Sequence, residues 1–309
     1  MAKRRSNSYG LSGYGVLAIG VVAIAWSAIF VRWTAMPGVA SAFYRMFLAA
    51  LVLWPVVLFS RIKFAGLSRK ALVLAVLSGV FFAGDVGLFN TAVMHTSAGS
   101  ATFLANNAPL LVGLMTWAIT RKIPSARFWT ALAIALAGAW LIVSIDARHA
   151  ASESSADLLA VGASVCFAMY LIATERLRKE MDTRMLVAIS ASASAVVLLM
   201  LAAVAHISLA VPSTKAFAAV LGLGLVCQVM GYFCLTYALG HLPATVTSVV
   251  LLAGAPLTAL FAFGLFGERM TLVQIVGGAF VMVGVGIVSH VRGGAMADGE
   301  EDRVMDLIA

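Results

Sequence analysis

Residues 91–114 read TAVMHTSAGSATFLANNAPLLVGL, and residues 237–260 read YALGHLPATVTSVVLLAGAPLTAL. In each stretch a short connector with a histidine separates two apolar runs, and an Ala-Pro-Leu element lies in the second run. The matches occur in the same order in both stretches, which indicates an internal repeat. The matching residues are His95 with His241, Ala98 with Ala244 and, after one insertion, Ala108-Pro109-Leu110 with Ala255-Pro256-Leu257.

The 309-residue chain around this repeat is much more apolar than a soluble domain. Hydrophobic residues make up 62% of it, charged residues make up 11%, and the mean hydropathy is +1.02. Soluble domains contain about 45–50% apolar and about 25% charged residues. A water-facing globule could not hide so many apolar side chains, so most of the surface must face lipid.

Ten apolar runs have the length of about 20 residues that a membrane-crossing helix needs. Alternation with a period of two is absent, which argues against a membrane barrel. The ten predicted spans cover residues 14–33, 37–59, 71–93, 96–120, 128–145, 156–174, 185–206, 216–239, 243–266 and 272–290.

The predicted fold class is an all-α integral membrane protein whose ten transmembrane helices form two inverted five-helix repeats. Five is an odd number of crossings, so the second copy must enter the membrane from the opposite side. Such repeats place a substrate site at their interface, near the bilayer midplane. The predicted divisions are an N-terminal tail (1–12), the first repeat (13–146), a connector (147–155), the second repeat (156–291) and an acidic tail (292–309).

The basic residues predict the orientation, because Lys and Arg accumulate in cytoplasmic connectors. With both termini in the cytoplasm, most of the 21 basic residues lie in cytoplasmic segments. This segregation predicts a multi-pass protein of a bacterial-type inner membrane. The exceptions are Arg32, Arg148, Lys215 and Arg269 on the outer side, and Arg45 inside a span.

Several short motifs resemble the EamA-type domain of the drug/metabolite transporter superfamily. Residues 24–33, IAWSAIFVRW, resemble its opening Trp-Gly-Ser-like element, and residues 43–53, FYRMFLAALVL, resemble its Arg-containing second helix. The paired Ala-Pro-Leu elements, followed by TRKIP or GERMT, resemble the ends of its fourth and ninth helices. Within the superfamily the chain is most similar to exporters of amino acids, including aromatic ones. The resemblance implies a secondary carrier that works by alternating access around a central cavity.

Two departures from the superfamily bear on the substrate. The second half has no arginine to match Arg45, and the first span lacks the embedded glutamate of the small four-helix exporters of cationic drugs. The second departure weakens an alternative function, proton-coupled export of drugs or toxic cations.

Arg45 and Asp85 are charged residues inside predicted spans. A charge at the bilayer centre costs about 2.5–3.5 kcal/mol on insertion scales. We expect an intramembrane ion pair or a coupling role. Asp85 then binds a proton or a substrate ammonium, and Arg45 modulates it or anchors a carboxylate. The alternative is a structural pair that joins two helices.

Neutral polar and aromatic residues at similar depth could bind an amino-acid zwitterion, which needs donors and acceptors without a large net charge. Interhelical hydrogen bonding or helix packing is the alternative for each of them. Prolines in the two matching elements free backbone carbonyls and suggest helix breaks or gates. The predicted substrate-binding residues are Trp26, Tyr44, Asn90, Asn106, Asn107, Tyr170, Gln228 and Tyr232, and the predicted gating residues are Pro109 and Pro256.

Motifs for other functions are absent from the sequence. It contains no P-loop, dinucleotide fingerprint, HExxH or nucleophile–base constellation, so we expect neither an enzyme nor nucleotide-driven transport. The three cysteines have no metal-binding spacing. We therefore expect no cofactor, no metal and no nucleic-acid partner. The expected partners are a small-molecule substrate and the lipid bilayer, and the expected oligomeric state is a monomer.

Overall fold

The computed structural model of the chain describes residues 2–60, 67–95, 107–147, 154–266 and 271–305. Within these ranges the ordered elements are helices, and no strand occurs. The helices are α1 (Ala2–Ala25), α2 (Ser27–Thr34), α3 (Gly38–Phe59), α4 (Arg69–His95), α5 (Ala108–Thr120), α6 (Ala126–Ala147), α7 (Ser154–Leu177), α8 (Thr183–Val204), α9 (Thr214–Gly222), a π-helical segment (Leu223–Tyr232), α10 (Phe233–Leu239), α11 (Ala244–Leu251), α12 (Gly254–Phe266) and α13 (Leu272–Met305).

Eight helical stretches of the described chain are long and apolar enough to cross a membrane. They correspond to eight of the ten predicted spans. The fourth and fifth predicted spans correspond to the shorter apolar helices Ala108–Thr120 and Ala126–Ile142. Residues 96–106, with which the fourth predicted span begins, lie outside the described residues, so the count of ten stays a prediction.

The outer surface of the helices is apolar. Large aliphatic and aromatic side chains are exposed along them, and Phe59, Val204 and Leu272 are each at least 80% exposed. Side chains of this kind are stable on a surface only when it faces an apolar medium such as the acyl chains of lipid. The exposed surface is therefore that of a membrane protein.

Each half of the chain packs extensively on the other. α3 contacts α8, α6 contacts α13, and α5 contacts α11. α4 lies against both α7 and α8, while the π-helical segment lies against both α1 and α3. These contacts surround a central region to which both halves contribute.

Small residues bring two of these helix pairs together. Gly277 of α13 faces Gly138 of α6 so closely that a Cβ on Gly277 would lie 2.6 Å from the Gly138 carbonyl oxygen. In the contact of α4 with α8, Ser78 Oγ lies 2.7 Å from Ser190 Oγ, and Ser194 Oγ donates to the Gly79 carbonyl oxygen at 2.6 Å. Small residues allow backbones to approach within a membrane, where dispersion and hydrogen bonds replace the hydrophobic effect.

Candidate functional site

The first predicted span is divided at Trp26. α1 ends at Ala25 and α2 begins at Ser27, and the Ala25 carbonyl oxygen accepts a hydrogen bond from Thr258 Oγ1 of α12 at 2.8 Å. Trp26 keeps right-handed helical dihedral angles, so only the hydrogen-bond pattern is interrupted there. Such an interruption at membrane depth is tolerated where it is enclosed by protein or lines a cavity. Thr258 therefore provides a hydrogen-bond donor for the Ala25 carbonyl oxygen at an interruption that lies inside the protein.

The ninth predicted span is divided between Leu251 and Gly254. The backbone N–H groups of Leu252 and Ala253 bond to carbonyls three residues earlier, so the last turn of α11 is tighter than an α-helix. Pro256, which lacks an N–H, is the third residue of α12. Pro256 thus lies directly after a helix break, and its predicted role as a gate stays a prediction.

The eighth predicted span contains ten π-helical residues, Leu223–Tyr232. A π-helix has i→i+5 hydrogen bonds and a wider turn than an α-helix, and such segments are rare except at functional sites. Gln228 and Tyr232 both lie on this segment and are buried. The wider turn places both side chains against α3.

A cavity of about 160 Å³ lies where these three irregular segments meet α3, α4 and α7. Its wall combines charged, hydroxyl and apolar groups, and it includes backbone from both helix breaks. The polar residues of the wall are Ser27, Arg45, Asp85, Tyr232 and Thr258, and the larger apolar ones include Ile24, Val86, Phe89, Phe167 and Leu251.

Arg45 is held on several sides by neutral groups. Its Nε donates to Gln228 Oε1 and its Nη1 donates to Ser27 Oγ, both at 3.0 Å. The guanidinium carbon lies 5.0 Å from the centre of the Tyr232 ring, within reach of a cation–π interaction. Nη2 has no hydrogen-bond partner among the described residues, although the side chain is only 3% exposed. The two N–H groups of Nη2 on this buried cation are therefore left without a partner.

Asp85 lines the same cavity, but it makes no ion pair with Arg45. The ion pair found in the described part of the chain joins Arg184 Nε to Asp182 Oδ1, at 3.1 Å. No described residue donates a hydrogen bond to the Asp85 carboxylate. Nε and Nη1 of Arg45 bond to Gln228 and Ser27 instead, and Asp85 interacts with Arg45 electrostatically without a direct contact. The predicted coupling role of the two residues stays a prediction.

An aromatic cluster of Phe82, Phe167, Tyr170 and Tyr232 borders the cavity. The Phe82 ring lies 4.5 Å from the rings of both Tyr170 and Tyr232. The Tyr170 hydroxyl lies 3.4 Å from Thr236 Oγ1. Phe167 and Tyr232 face the cavity, while Phe82 and Tyr170 support them from behind.

The family model for EamA-like transporters matches the chain twice, at residues 11–144 and 154–290. The chain belongs to the EamA-like transporter family. It is 31% identical over 218 residues to "Uncharacterized transporter YwfM" of Bacillus subtilis (strain 168), a match that covers 70% of this chain and 73% of that one. A solved crystal structure shares the fold with a TM-score of 0.77 at 16% identity, over 92% of this chain and 97% of the other. The protein is a multi-pass membrane transporter.

Three of the predicted site residues of this transporter line the cavity directly: Arg45, Asp85 and Tyr232. Gln228 adjoins it through Arg45, and Tyr170 through the aromatic cluster. These residues come from α3, α4, α7 and the π-helical segment, so the fold brings together positions that are far apart in sequence.

Other predicted substrate-binding residues have contacts elsewhere in the transporter. The Tyr44 hydroxyl donates to the Leu209 carbonyl oxygen at 2.9 Å, and Asn90 Nδ2 donates to Ser41 Oγ at 3.1 Å. Trp26 lies at the first helix break and stacks on Phe261, with ring centres 4.6 Å apart. Asn107 immediately precedes α5.

Two predictions concern the start of the fourth predicted span. Pro109 is the second residue of α5, where its missing N–H costs no helical bond. Its predicted role as a helix break or gate stays a prediction, because the residues directly before position 107 lie outside the described ranges. Asn106 lies outside the described residues, and its predicted role stays a prediction.

Most residues of the cavity wall were not predicted, among them Ser27, Phe89, Phe167 and Thr258. Ser27 is part of the IAWSAIFVRW motif, and Thr258 follows the second Ala-Pro-Leu element, so both had a signal in the sequence. Phe89 and Phe167 had no such signal, because the sequence does not distinguish a phenylalanine that faces a cavity from one that faces lipid or another helix.

Proposed function

We propose that this transporter exports neutral amino acids, aromatic ones included, or closely related small metabolites. The observation that carries the proposal is the pair of unpaired charged groups in one cavity. Arg45 Nη2 has no hydrogen-bond partner among the described residues, and Asp85 lines the same cavity without a hydrogen bond or salt bridge to a described residue, although it interacts electrostatically with Arg45. Charges that are unpaired inside a membrane mark a substrate or ion pathway.

An amino-acid zwitterion carries two groups that can pair with Arg45 and Asp85. Its carboxylate can accept from Arg45 Nη2, and its ammonium can donate to Asp85. Phe89, Phe167 and Leu251 offer apolar contact for its side chain. Charge-assisted hydrogen bonds of this kind are about twice as strong as neutral ones. Substrate binding would therefore neutralise both buried charges at once.

The size of the cavity favours a small metabolite. Sites for drug-sized ligands typically measure about 300–1,000 Å³, whereas this cavity has about 160 Å³. A large aromatic drug would need the surrounding side chains to move. A small or branched amino acid fits with less rearrangement.

Alternating access between two inverted repeats, residues 13–146 and 156–291, is the transport mechanism that we propose. Two features support it. The family model matches twice, and the packing contacts exchange under a swap of the halves: α4 lies on α8 as the π-helical segment lies on α3, and α4 lies on α7 as that segment lies on α1. The basic residues favour an orientation with both termini in the cytoplasm, and we propose that the transporter is a monomer of the inner membrane.

Flux measurements in proteoliposomes test the substrate. Vesicles loaded with labelled leucine or phenylalanine should lose label in a protein-dependent way, and unlabelled neutral amino acids should compete. Lysine and glutamate should compete weakly, because each adds an uncompensated charge to the cavity. Equal leakage from protein-free vesicles across a broad amino-acid panel would contradict the proposal.

Proton-coupled export of drugs or toxic cations is the second candidate, and the unpaired carboxylate of Asp85 favours it. In that case an imposed pH gradient drives uptake of a cationic dye, and Asp85→Asn abolishes this uptake without affecting folding. Amino-acid flux that persists without a pH gradient, together with no dye transport, would exclude this candidate.

A further inference from the structure

Gln228 contacts Arg45 more directly than any other residue of the π-helical segment. It is 1% exposed, and its Oε1 accepts from Arg45 Nε at 3.0 Å. Gln228 is not among the residues that line the cavity. Any influence it has on transport must therefore act through Arg45.

The amide of Gln228 gives Arg45 an acceptor without neutralising it. A carboxylate at the same place would form an ion pair and remove the positive charge from the cavity. A hydrocarbon would leave the buried Nε without a partner and release that side of the guanidinium. Only a neutral acceptor of this length both fixes the group and preserves its charge.

The orientation of Arg45 is fixed from three directions. Gln228 holds the Nε edge, Ser27 holds Nη1, and the Tyr232 ring faces the guanidinium. Because the guanidinium is planar and rigid, these three contacts determine where the remaining nitrogen, Nη2, points. Two of the three come from the π-helical segment.

We propose that Gln228 is a positioning residue that sets the charge selectivity of the cavity, by holding Arg45 oriented and free of a direct salt bridge so that the substrate must bring a carboxylate. This inference rests on the proposed amino-acid substrate. It adds that discrimination between an amino acid and the corresponding amine depends on a neutral side chain at position 228.

Three probes of one carbon skeleton test the proposal: leucine, isoamylamine, which lacks the carboxylate, and isocaproate, which lacks the ammonium. Each competes with labelled leucine in counterflow by the purified full-length transporter in proteoliposomes. We compare wild type with Gln228→Glu, Gln228→Asn and Gln228→Leu. Gln274→Glu is the matched control, because Gln274 is an amide at the start of α13 that caps Thr271.

In Gln228→Glu the half-inhibitory concentrations of leucine and isocaproate should rise about tenfold or more, since the new carboxylate replaces the substrate's carboxylate at Arg45. That of isoamylamine should stay the same or fall. Gln228→Leu should also raise the half-inhibitory concentrations of leucine and isocaproate. Gln228→Asn, which keeps a neutral acceptor, should retain part of the wild-type discrimination. The KM for leucine should rise more than Vmax falls, and Gln274→Glu should match the wild type.

A merely structural role for Gln228 predicts something different. The half-inhibitory concentrations of all three probes would then rise by the same factor, or only the amount of folded protein would fall. Either result would overturn the inference. Unchanged discrimination in Gln228→Glu would overturn it as well. If the wild type itself binds neither leucine nor isocaproate, the proposed function fails first and the inference fails with it, so the two failures are distinguishable.

Discussion

Polar side chains line both the contact of α4 with α8 and the wall of the cavity, but only the cavity wall has charged groups that are not fully hydrogen-bonded. At the α4–α8 contact, Ser78 meets Ser190, and Ser194 donates to the Gly79 carbonyl oxygen. In the cavity wall, Asp85 has no hydrogen-bond partner among the described residues, and Arg45 has an unused donor. The α4–α8 helices are also regular, whereas three helical segments around the cavity are broken or widened.

This difference separates polar groups that hold helices together from polar groups that wait for a ligand. A hydrogen bond between membrane helices contributes about 0.6 kcal/mol on average, so the serines stabilise the fold modestly. A buried charge without a partner destabilises it. Its presence is explained if a substrate supplies the missing partner. Changes at the two places should therefore affect different measurements.

The largest effect should follow from Arg45→Met. Removing the cation deprives the substrate carboxylate of a charge-assisted hydrogen bond, so leucine transport efficiency should fall about 100-fold while the protein still folds. Arg45→Lys keeps the charge but loses the planar guanidinium, so leucine transport efficiency should fall about tenfold. Counterflow in proteoliposomes measures both.

Arg184→Gln is the control for loss of a cation. Arg184 pairs with Asp182 near the start of α8 and is 38% exposed, so its loss should leave transport within about twofold of wild type. If Arg45→Met transports leucine as well as Arg184→Gln does, the cavity is not the substrate site, and the comparison drawn above fails.

The positions of the helices could largely be predicted from the sequence, but the hydrogen-bond partners of their polar side chains could not. Apolar runs gave the spans because lipid requires about 20 such residues in a row. A polar residue within a run has the same signal whether or not it is satisfied. Asn90 and Asp85 were therefore equivalent in the sequence, yet Asn90 Nδ2 bonds to Ser41, with Asn90 Oδ1 left without a partner, while Asp85 faces the cavity.

The irregular backbone around the cavity was predicted only in part. Pro256 signalled the break before α12, because proline lacks an N–H. The division at Trp26 and the π-helical segment contain no proline, so the local sequence does not predict them. Tertiary contacts occur at both, namely Thr258 with the Ala25 carbonyl oxygen and Arg45 with Gln228.

A smaller effect, on stability alone, should follow from Gly277→Ala. The new methyl would lie 2.6 Å from the Gly138 carbonyl oxygen, so α13 and α6 must separate. Overpacking of this kind costs about 1–3 kcal/mol, which should lower the midpoint of thermal unfolding in detergent. Leucine transport per folded molecule should not change.

Gly286→Ala is the matched control on the same helix. A Cβ there meets no atom within 4 Å, so its effect should be neutral or slightly stabilising, as alanine favours a helix. Equal unfolding midpoints for the two variants would mean that the α6–α13 contact is not a close backbone contact. A change of substrate selectivity in Gly277→Ala alone would mean that this contact communicates with the cavity.

The smallest effect belongs to the serine pair itself, and a double-mutant cycle measures it. Ser78→Ala and Ser190→Ala each remove one side of a 2.7 Å contact, but Ser78 Oγ also lies 2.8 Å from the Ala75 carbonyl oxygen. In Ser190→Ala the remaining hydroxyl therefore keeps a partner and is not left unsatisfied. The coupling energy from thermal or denaturant unfolding should be about 0.6 kcal/mol. Transport by both single variants and by the double variant should match the wild type. A coupling energy several times larger, or a loss of leucine flux without a loss of stability, would show that satisfied polar pairs also act in transport, and would remove the distinction between this contact and the cavity.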